Sequence, residues 1–313
     1  MRVAIIDLGT NTFNLLVVNI FEGQTQAVYH AKMPVKLGEG GFGEGKLLTE
    51  AMKRGEHAFA SLVQKARDWG AEHVVGFATS AVRSAANGEA FGQMLLDATG
   101  IQIEIISGSR EAELIYKGVQ TTGVLTSHLS LIMDIGGGST EFIIADQHQI
   151  EWMESYPLGV ARILEKIGKS DPITPAFRML MEEVLDGQLV DLFEQVKRHQ
   201  VQVLVGSSGS FDSFVDMLSD HPDTFPSERS PYSLISGDAL SQLHHKLMQS
   251  TRPEREKMPG LIDLRVDFIV YASIFVQYIL KRTGIPTIYQ SAHSLKEGVL
   301  AELIASNPSW QKS

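Results

Sequence analysis

The 313 residues contain no cysteine. That absence excludes a disulfide framework, a thiolate nucleophile and a thiolate-bound metal together. Histidine is present but dispersed: apart from His244-His245, in an amphipathic helical pattern, the ten histidines are scattered and no histidine metal cluster is expected. No apolar run approaches the length needed to cross a bilayer. The opening MRVAIIDLG enters a strand pattern without the charged, apolar and cleavage regions of a secretory signal, so a cytoplasmic protein with no membrane partner is the expectation. Positive charge is also short, with Lys+Arg 27 against Asp+Glu 37 and a formal net charge of −10. A nucleic-acid partner, which calls for a basic surface, is therefore not expected, and any polyanionic ligand must be held by a local site. The length is more than one core usually takes and predicts two domains.

What is present centres on SLIMDIGGGSTEFIIAD, residues 130–146. Leu131, Ile132 and Met133 read as a buried strand, and Phe142, Ile143 and Ile144 resume apolar character straight after Glu141, so the glycines join two strands in a hairpin. Without Cβ atoms, Gly136, Gly137 and Gly138 can take backbone conformations closed to other residues and let N–H groups converge on an anion. Ser139 and Thr140 add hydroxyl donors beside them. Asp134 would repel a phosphate unless a cation lay between them, and Mg²⁺ is the usual cation bridging carboxylates and phosphate oxygens.

The same plan occurs earlier in the chain, in VAIIDLGTNTFNLLVVNI, residues 3–20. Asp7 matches Asp134 and Gly9 matches Gly136, with Asn11 and Thr12 as the donors of the first turn. Two copies predict two related α/β domains whose turns face a shared cleft, a favoured place for a ligand.

Between and after the copies the pattern alternates strand and helix. Gln24–Met33 reads as a strand and 35–45, VKLGEGGFGEG, as a mobile glycine-rich loop. A helix is predicted from Thr49, its cap, to Trp69, and strands over His73–Ala78 and Gly100–Ile106. Thr79 and Ser80 open a helix turn, a place where free N–H groups favour an anion, with Arg83 one turn inside. Glu111 falls in the first turn of a helix over 110–119. Later come a helix from Pro175 to about Gln200 and a strand over Val201–Val205. That strand ends in GSSGSFD, where Gly206, Ser208 and Gly209 form either a phosphate-receiving turn or a plain strand-to-helix connection. Leu234–Thr251 reads as helix, 252–260 as an exposed connection, and Leu261–Thr283 as the central helix, whose Met, Phe and Tyr stripe is core. A strand over Pro286–Gln290, a helix over Leu295–Ile304 and a frayed tail complete the chain.

The series DLGTNTFNLLVV, ATSAVR, SGSREAELIYKGV, DIGGGSTEF, YPLGVAR and VGSSGSFD, in this order, resembles the exopolyphosphatase/guanosine pentaphosphate phosphohydrolase (Ppx/GppA) family from Met1 to about residue 304. The resemblance implies an α/β fold of two ribonuclease-H-like domains around a central cleft, as in the actin-like ATPase and sugar-kinase superfamily. The domains are expected at 1–122 and 123–313, with the last helix, about 294–305, free to pack back onto the first. The implied reaction is Mg²⁺-dependent hydrolysis of the terminal phosphoanhydride of inorganic polyphosphate or guanosine pentaphosphate, in the bacterial stringent response. Residue by residue, Glu111 matches the catalytic glutamate that activates water and Glu141 a second acidic residue of the cleft. Asp134, and Asp7 by the repeat, match metal positions, and Arg83 matches the phosphate-binding arginine. Asn11, Thr12, Gly136, Gly137, Gly138, Ser139 and Thr140 fall in the phosphate loops, with Gly206, Ser208 and Gly209 as a third candidate. The resemblance leaves a homodimer open.

Three departures qualify the transfer. Arg110 stands where the family usually has glutamate, placing a positive charge beside the presumed base, where it either lowers basicity or adds a phosphate contact. SAHSLKEG, 291–298, carries Ser294 and Lys296 in place of glycine and arginine. Long members also continue into a C-terminal helical domain past the point where this sequence stops, so short polyphosphate or a nucleotide is the expected substrate. Two other classes stay open: a kinase or ATPase of the same superfamily with an adenosine site near Gly206–Gly209, and a non-hydrolysing sensor of polyphosphate or alarmone, which Arg110 keeps in play.

Overall fold

Strands β1 (Arg2–Leu8) and β2 (Thr12–Phe21) are mainly apolar and mostly buried, as suits a sheet covered on both faces. In the computed structural model, which describes residues 1–22, 24–219, 230–307 and 310, β1 and β2 continue into β3 (Gln24–Pro34) as an antiparallel meander. On the other side of β1, β4 (His73–Ala78) and β5 (Ile103–Ile105) are added in parallel, giving the order β3-β2-β1-β4-β5. Helices α1 (Thr49–Asp68), α2 (Ser80–Arg83), α3 (Gly88–Thr99) and α4 (Gly108–Gln120) follow the strands.

The second sheet repeats this order. Strands β6 (Ser130–Ile135), β7 (Thr140–Ala145) and β8 (Ile150–Tyr156) form the meander, and β6 and β7 are buried at every position. Parallel strands β9 (Val203–Ser207) and β11 (Thr287–Ser291) extend it beyond β6, and β10 (Tyr232–Ile235) adds an antiparallel edge. The order is β10-β11-β9-β6-β7-β8. Around it lie α5 (Val160–Ile167), α6 (Pro175–Asp186), α7 (Val190–Arg198), α8 (Ser208–Leu218), α9 (Gly237–Gln249), α10 (Arg252–Arg255) and α11 (Ile269–Thr283), and α12 (Leu295–Ser306) ends the chain's regular structure. The chain divides into two units, Met1–Gly118 with Leu295–Ser313, and Val119–Ser294. Each carries the ribonuclease-H-like meander with parallel strands added beside its first strand. No helix among the described residues is long and apolar enough to cross a membrane.

Several boundaries differ from those read in the sequence, each for a local reason. The helix expected over 175–200 is two, α6 and α7, because Gly187 caps the first and the chain turns to bury both Leu185 and Leu189. The helix expected from Leu234 starts at Gly237: Tyr232–Ile235 pair with β11, and the Ser236 hydroxyl caps α9 by accepting from the Ala239 N–H at 3.3 Å. Helix α11 begins at Ile269 after a 3-10 turn over Asp263–Arg265. The connection over 252–260 contains α10, whose Arg255 is buried and donates to the Ser250 and Val266 carbonyls while pairing with Asp171. The helix-capping position expected at Thr49 is occupied by Leu48. The glycine-rich loop after β3 is tied down: the Val35 and Lys36 N–H groups both donate to the Asn11 carbonyl at 2.9 Å, and Gly38 donates to that of Thr10.

Tyr156 ends β8 in the core of the second unit, edge-on to Phe142. Among the described residues its hydroxyl is the buried side-chain polar atom that makes no hydrogen bond. Burial, then the charges of Asp191 and Glu154, push its pKa well above the ordinary tyrosine value, and the nearby Leu192 amide opposes this only weakly. Because a desolvated, unpaired hydroxyl is a net cost, Tyr156→Phe should leave thermal stability unchanged or raise it by up to about 1 kcal/mol. A lower melting temperature for this variant would show that the hydroxyl is satisfied after all.

Candidate active site

In the first unit the β1–β2 turn carries Asp7, Gly9, Asn11 and Thr12. Asp7 lies opposite Asn14 in the ladder, and the Asn14 side-chain amide donates to its Oδ2 at 3.0 Å. A Cβ on Gly9 would come to 2.8 Å from the Thr12 carbonyl oxygen, so only glycine fits the turn. Glu111 sits in the first turn of α4, where the helix dipole favours a carboxylate. The Ser107 carbonyl and hydroxyl accept from the Glu111 and Arg110 N–H groups and fix the start of that helix. Arg83, at the end of α2, donates Nη1 to Glu111 Oε2 at 2.7 Å and to the Ile106 carbonyl at 3.0 Å. The Glu111 side chain is 10% exposed and that of Arg83 23%. The two candidates are thus a direct ion pair, with the arginine fixing the carboxylate.

Arg110 turns away from Glu111. Its guanidinium pairs with Glu302 on α12 and, at 3.3 Å, with Glu113, and Lys117 also reaches Glu302. Successive residues on a helix point roughly 100° apart, so a neighbour in sequence need not be a neighbour in charge. The Arg110 hydrogen bond, opposed by burial and reinforced by Lys117, holds the Glu302 carboxyl down at about 2. This stabilisation is complete above the ordinary value of 4.5 and is lost as pH falls from there toward 2. Glu302→Gln should therefore cost roughly 1 kcal/mol at pH 7 after solvent screening. The difference from wild type should close as the pH of the thermal melt is lowered toward 2.

In the second unit the hairpin repeats the constraint of the first: a Cβ on Gly136 would lie 2.8 Å from the Ser139 carbonyl oxygen. None of Gly136, Gly137 and Gly138 has a positive φ, so close approach and not a left-handed backbone is what calls for glycine here. Gly159 extends this, since a Cβ there would overlap the Gly138 nitrogen and the Gly137 carbonyl. Ser139 and Thr140 are buried, and the Thr140 hydroxyl donates to the Leu158 carbonyl at 3.1 Å. Glu141, 1% exposed, lies directly across the ladder from Asp134 and accepts from the Ser155 hydroxyl at 2.7 Å.

Asp134 is buried and gathers three hydroxyls. Ser208 donates to Oδ1 at 2.7 Å, and Ser294 and Ser207 donate to Oδ2 at 2.7 and 3.4 Å. Ser208 reaches it from a left-handed backbone, φ 64°, a conformation uncommon for a residue with a Cβ. The two glycines beside Ser208 serve packing: a Cβ on Gly206 would overlap the Phe211 ring, and one on Gly209 the Arg265 guanidinium. Burial lowers the pKa of Arg265 from its usual value, against the charges of Asp212 and Asp134.

Arg265 and Ser207 were not singled out in the sequence, and Ser294 was noted there only as a replacement for the family's glycine. Arg265 stood between Asp263 and Asp267 in a segment read as a core helix, which was the available signal. Ser294 reaches Asp134 across 160 positions, a pairing that its place in the 291–298 motif did not reveal.

Among the described residues no group of three or more His, Asp or Glu side chains gathers as a metal site. Mg²⁺ does not need one, since it commonly binds through one or two carboxylates together with waters and phosphate oxygens. Asp134 with Glu141 opposite it in the second unit, and Asp7 in the first, are donor sets of that kind.

Residues 16–307 match the Ppx/GppA phosphatase family. The chain belongs to this family. Over 304 residues it is 30% identical to the guanosine-5′-triphosphate,3′-diphosphate pyrophosphatase of Vibrio vulnificus, covering 96% of this chain and 59% of that one. It thus spans well under two-thirds of the length of that relative. The crystal structure of an exopolyphosphatase from Cytophaga hutchinsonii superposes with a TM-score of 0.93 at 35% identity, covering 98% of each chain. The Aquifex aeolicus member of the Ppx/GppA family superposes at 0.81 and 22% identity over 98% of each chain, a likeness of fold.

Proposed function

We propose that this protein hydrolyses the terminal phosphoanhydride of inorganic polyphosphate or of guanosine pentaphosphate, with Mg²⁺ as the cation. The observation that carries the reading is the Arg83–Glu111 pair, a guanidinium and a carboxylate held 2.7 Å apart. In the proposed reaction Glu111 orients a water and accepts its proton as the water oxygen bonds to the terminal phosphorus. The bond from that phosphorus to the bridging oxygen breaks, giving orthophosphate and a chain shorter by one phosphate. Arg83 moves its spare N–H donors to the transferred phosphoryl oxygens, where charge must be stabilised. The glycine hairpin of the second unit, with Ser139, offers further donors for phosphate, while the Thr140 hydroxyl is engaged by the Leu158 carbonyl. Asp134 with Glu141 in the second unit, or Asp7 in the first, would hold a Mg²⁺, whose contribution is to neutralise phosphate charge. The names of the Vibrio and Cytophaga relatives support both substrate classes.

Phosphate release by the pure protein from short polyphosphate, long polyphosphate, guanosine pentaphosphate and ATP, with Mg²⁺ or with EDTA, tests the reading. Release from polyphosphate or guanosine pentaphosphate that needs Mg²⁺ supports it, and the ranking names the substrate. Turnover of ATP alone, stimulated by an acceptor, would move the assignment to a kinase, and tight binding without release to a sensor.

A further inference from the structure

We propose that Arg162 is a positioning residue for the glycine hairpin, turning the carbonyl oxygens of that loop away from phosphate so that its N–H groups can bind the anion. The proposal rests on the hydrolase reading for the identity of the bound phosphate, and on the geometry of the segment after β8 for the rest. Three consecutive carbonyls of the hairpin all accept hydrogen bonds from this one segment. Gly136 accepts from the Val160 N–H at 3.1 Å, Gly137 from the Arg162 N–H at 3.1 Å, and Gly138 from the Arg162 side-chain Nε at 2.7 Å.

The approach is close because residue 159 is glycine, the one residue type that fits against the Gly137–Gly138 peptide. The Thr140 hydroxyl closes the contact from the other side, on the Leu158 carbonyl. The first turn of α5 has N–H groups with no partner in its own helix, and two of them are used on the hairpin.

This arrangement has a chemical consequence. A loop meant for phosphate must present donors and hide acceptors, because a carbonyl oxygen facing a phosphate oxygen is repulsive. Here the acceptors of Gly136, Gly137 and Gly138 are all engaged. Among the described residues the N–H groups of Gly137, Gly138 and Ser139 donate to no protein acceptor. Backbone N–H groups supply the first two of the three bonds. The third needs a side chain long enough to reach Gly138, and Arg162 provides it.

The test separates this role from direct attraction between Arg162 and phosphate, and from a purely structural bond. Arg162→Ala, Arg162→Gln and Arg162→Lys would be compared by orthophosphate affinity in calorimetry, by KM and kcat on the preferred substrate, and by melting temperature. Loss of one such hydrogen bond corresponds to roughly tenfold. Arg162→Ala should therefore weaken orthophosphate binding and raise KM by about that factor, with kcat changed much less. Arg162→Gln and Arg162→Lys, each keeping a donor for the Gly138 carbonyl, should both recover part of the loss. Recovery by lysine alone would overturn the proposal in favour of a direct charge contact. Unchanged KM and orthophosphate affinity in Arg162→Ala, whatever its melting temperature, would reduce the bond to a structural one. If Arg162→Ala does not fold, the Gln and Lys pair still decides the question, since only a positioning bond lets a neutral donor match a charged one. Orthophosphate binding does not depend on turnover, so failure of the hydrolase reading and failure of this proposal remain distinguishable.

Discussion

Glu111→Gln is expected to lower kcat for phosphate release by about 10²- to 10⁴-fold, the usual contribution of a positioned general base, while KM changes by no more than a few-fold. Glutamine keeps the shape of the side chain and an oxygen that accepts from Arg83, so the geometry at the start of α4 survives. What it removes is the acceptor for the proton of water. The substitution also leaves the Arg83 charge without its counter-ion. Arg83 keeps the Ile106 carbonyl and is partly exposed, so the stability cost should stay within about 1–3 kcal/mol. Steady-state kinetics beside a thermal melt separate the two effects. Unchanged kcat in a folded variant would remove Glu111 from the chemistry. A large rise in KM with little change in kcat would make the Arg83–Glu111 pair a binding device.

Asp134→Asn should lower kcat/KM by about 10²-fold or more and raise the Mg²⁺ concentration needed for half-maximal activity by at least about tenfold, the scale seen when the surroundings of a metal ligand are altered. The argument starts from its partners. The carboxylate accepts from Ser208, Ser294 and Ser207. An asparagine presents one oxygen and an NH₂, and a serine hydroxyl can rotate from donor to acceptor to meet it. The fold should therefore tolerate the change. The negative charge is lost, however, and with it the attraction for a cation and the counter-charge to Arg265. A Mg²⁺ titration of activity reads the first effect and a melt reads the second. Wild-type Mg²⁺ dependence in the variant would show that the cation binds elsewhere.

The residues that were legible in the sequence are those whose role is encoded over a few positions. Strand, Asp-x-Gly and strand again specify a hairpin wherever they occur, and both hairpins form, each with a glycine that has no room for a Cβ at 2.8 Å from a carbonyl oxygen. The strand-to-helix alternation likewise carried the α/β class. Pairings made by the fold were not legible. Arg83 and Glu111 are 28 positions apart and meet because α2 and α4 follow the neighbouring parallel strands β4 and β5. Arg110 read as a charge beside Glu111, yet its direction is set by Glu302, 192 positions away. Helix ends at Gly187 and Ser236 were missed because the apolar period runs through them, while capping and the burial of Leu185 and Leu189 decided where the helices stop and start.

The central claim is attack by water on the terminal phosphorus, with Glu111 taking the proton. Its most direct test is phosphate release in ¹⁸O-labelled water from a short polyphosphate or guanosine pentaphosphate, followed by mass analysis of both products. The account predicts a single solvent oxygen in the released orthophosphate, none at the new end of the remaining chain, and loss of the labelled product in Glu111→Gln. Label at the new chain end, or undiminished labelled orthophosphate from the variant, would contradict it.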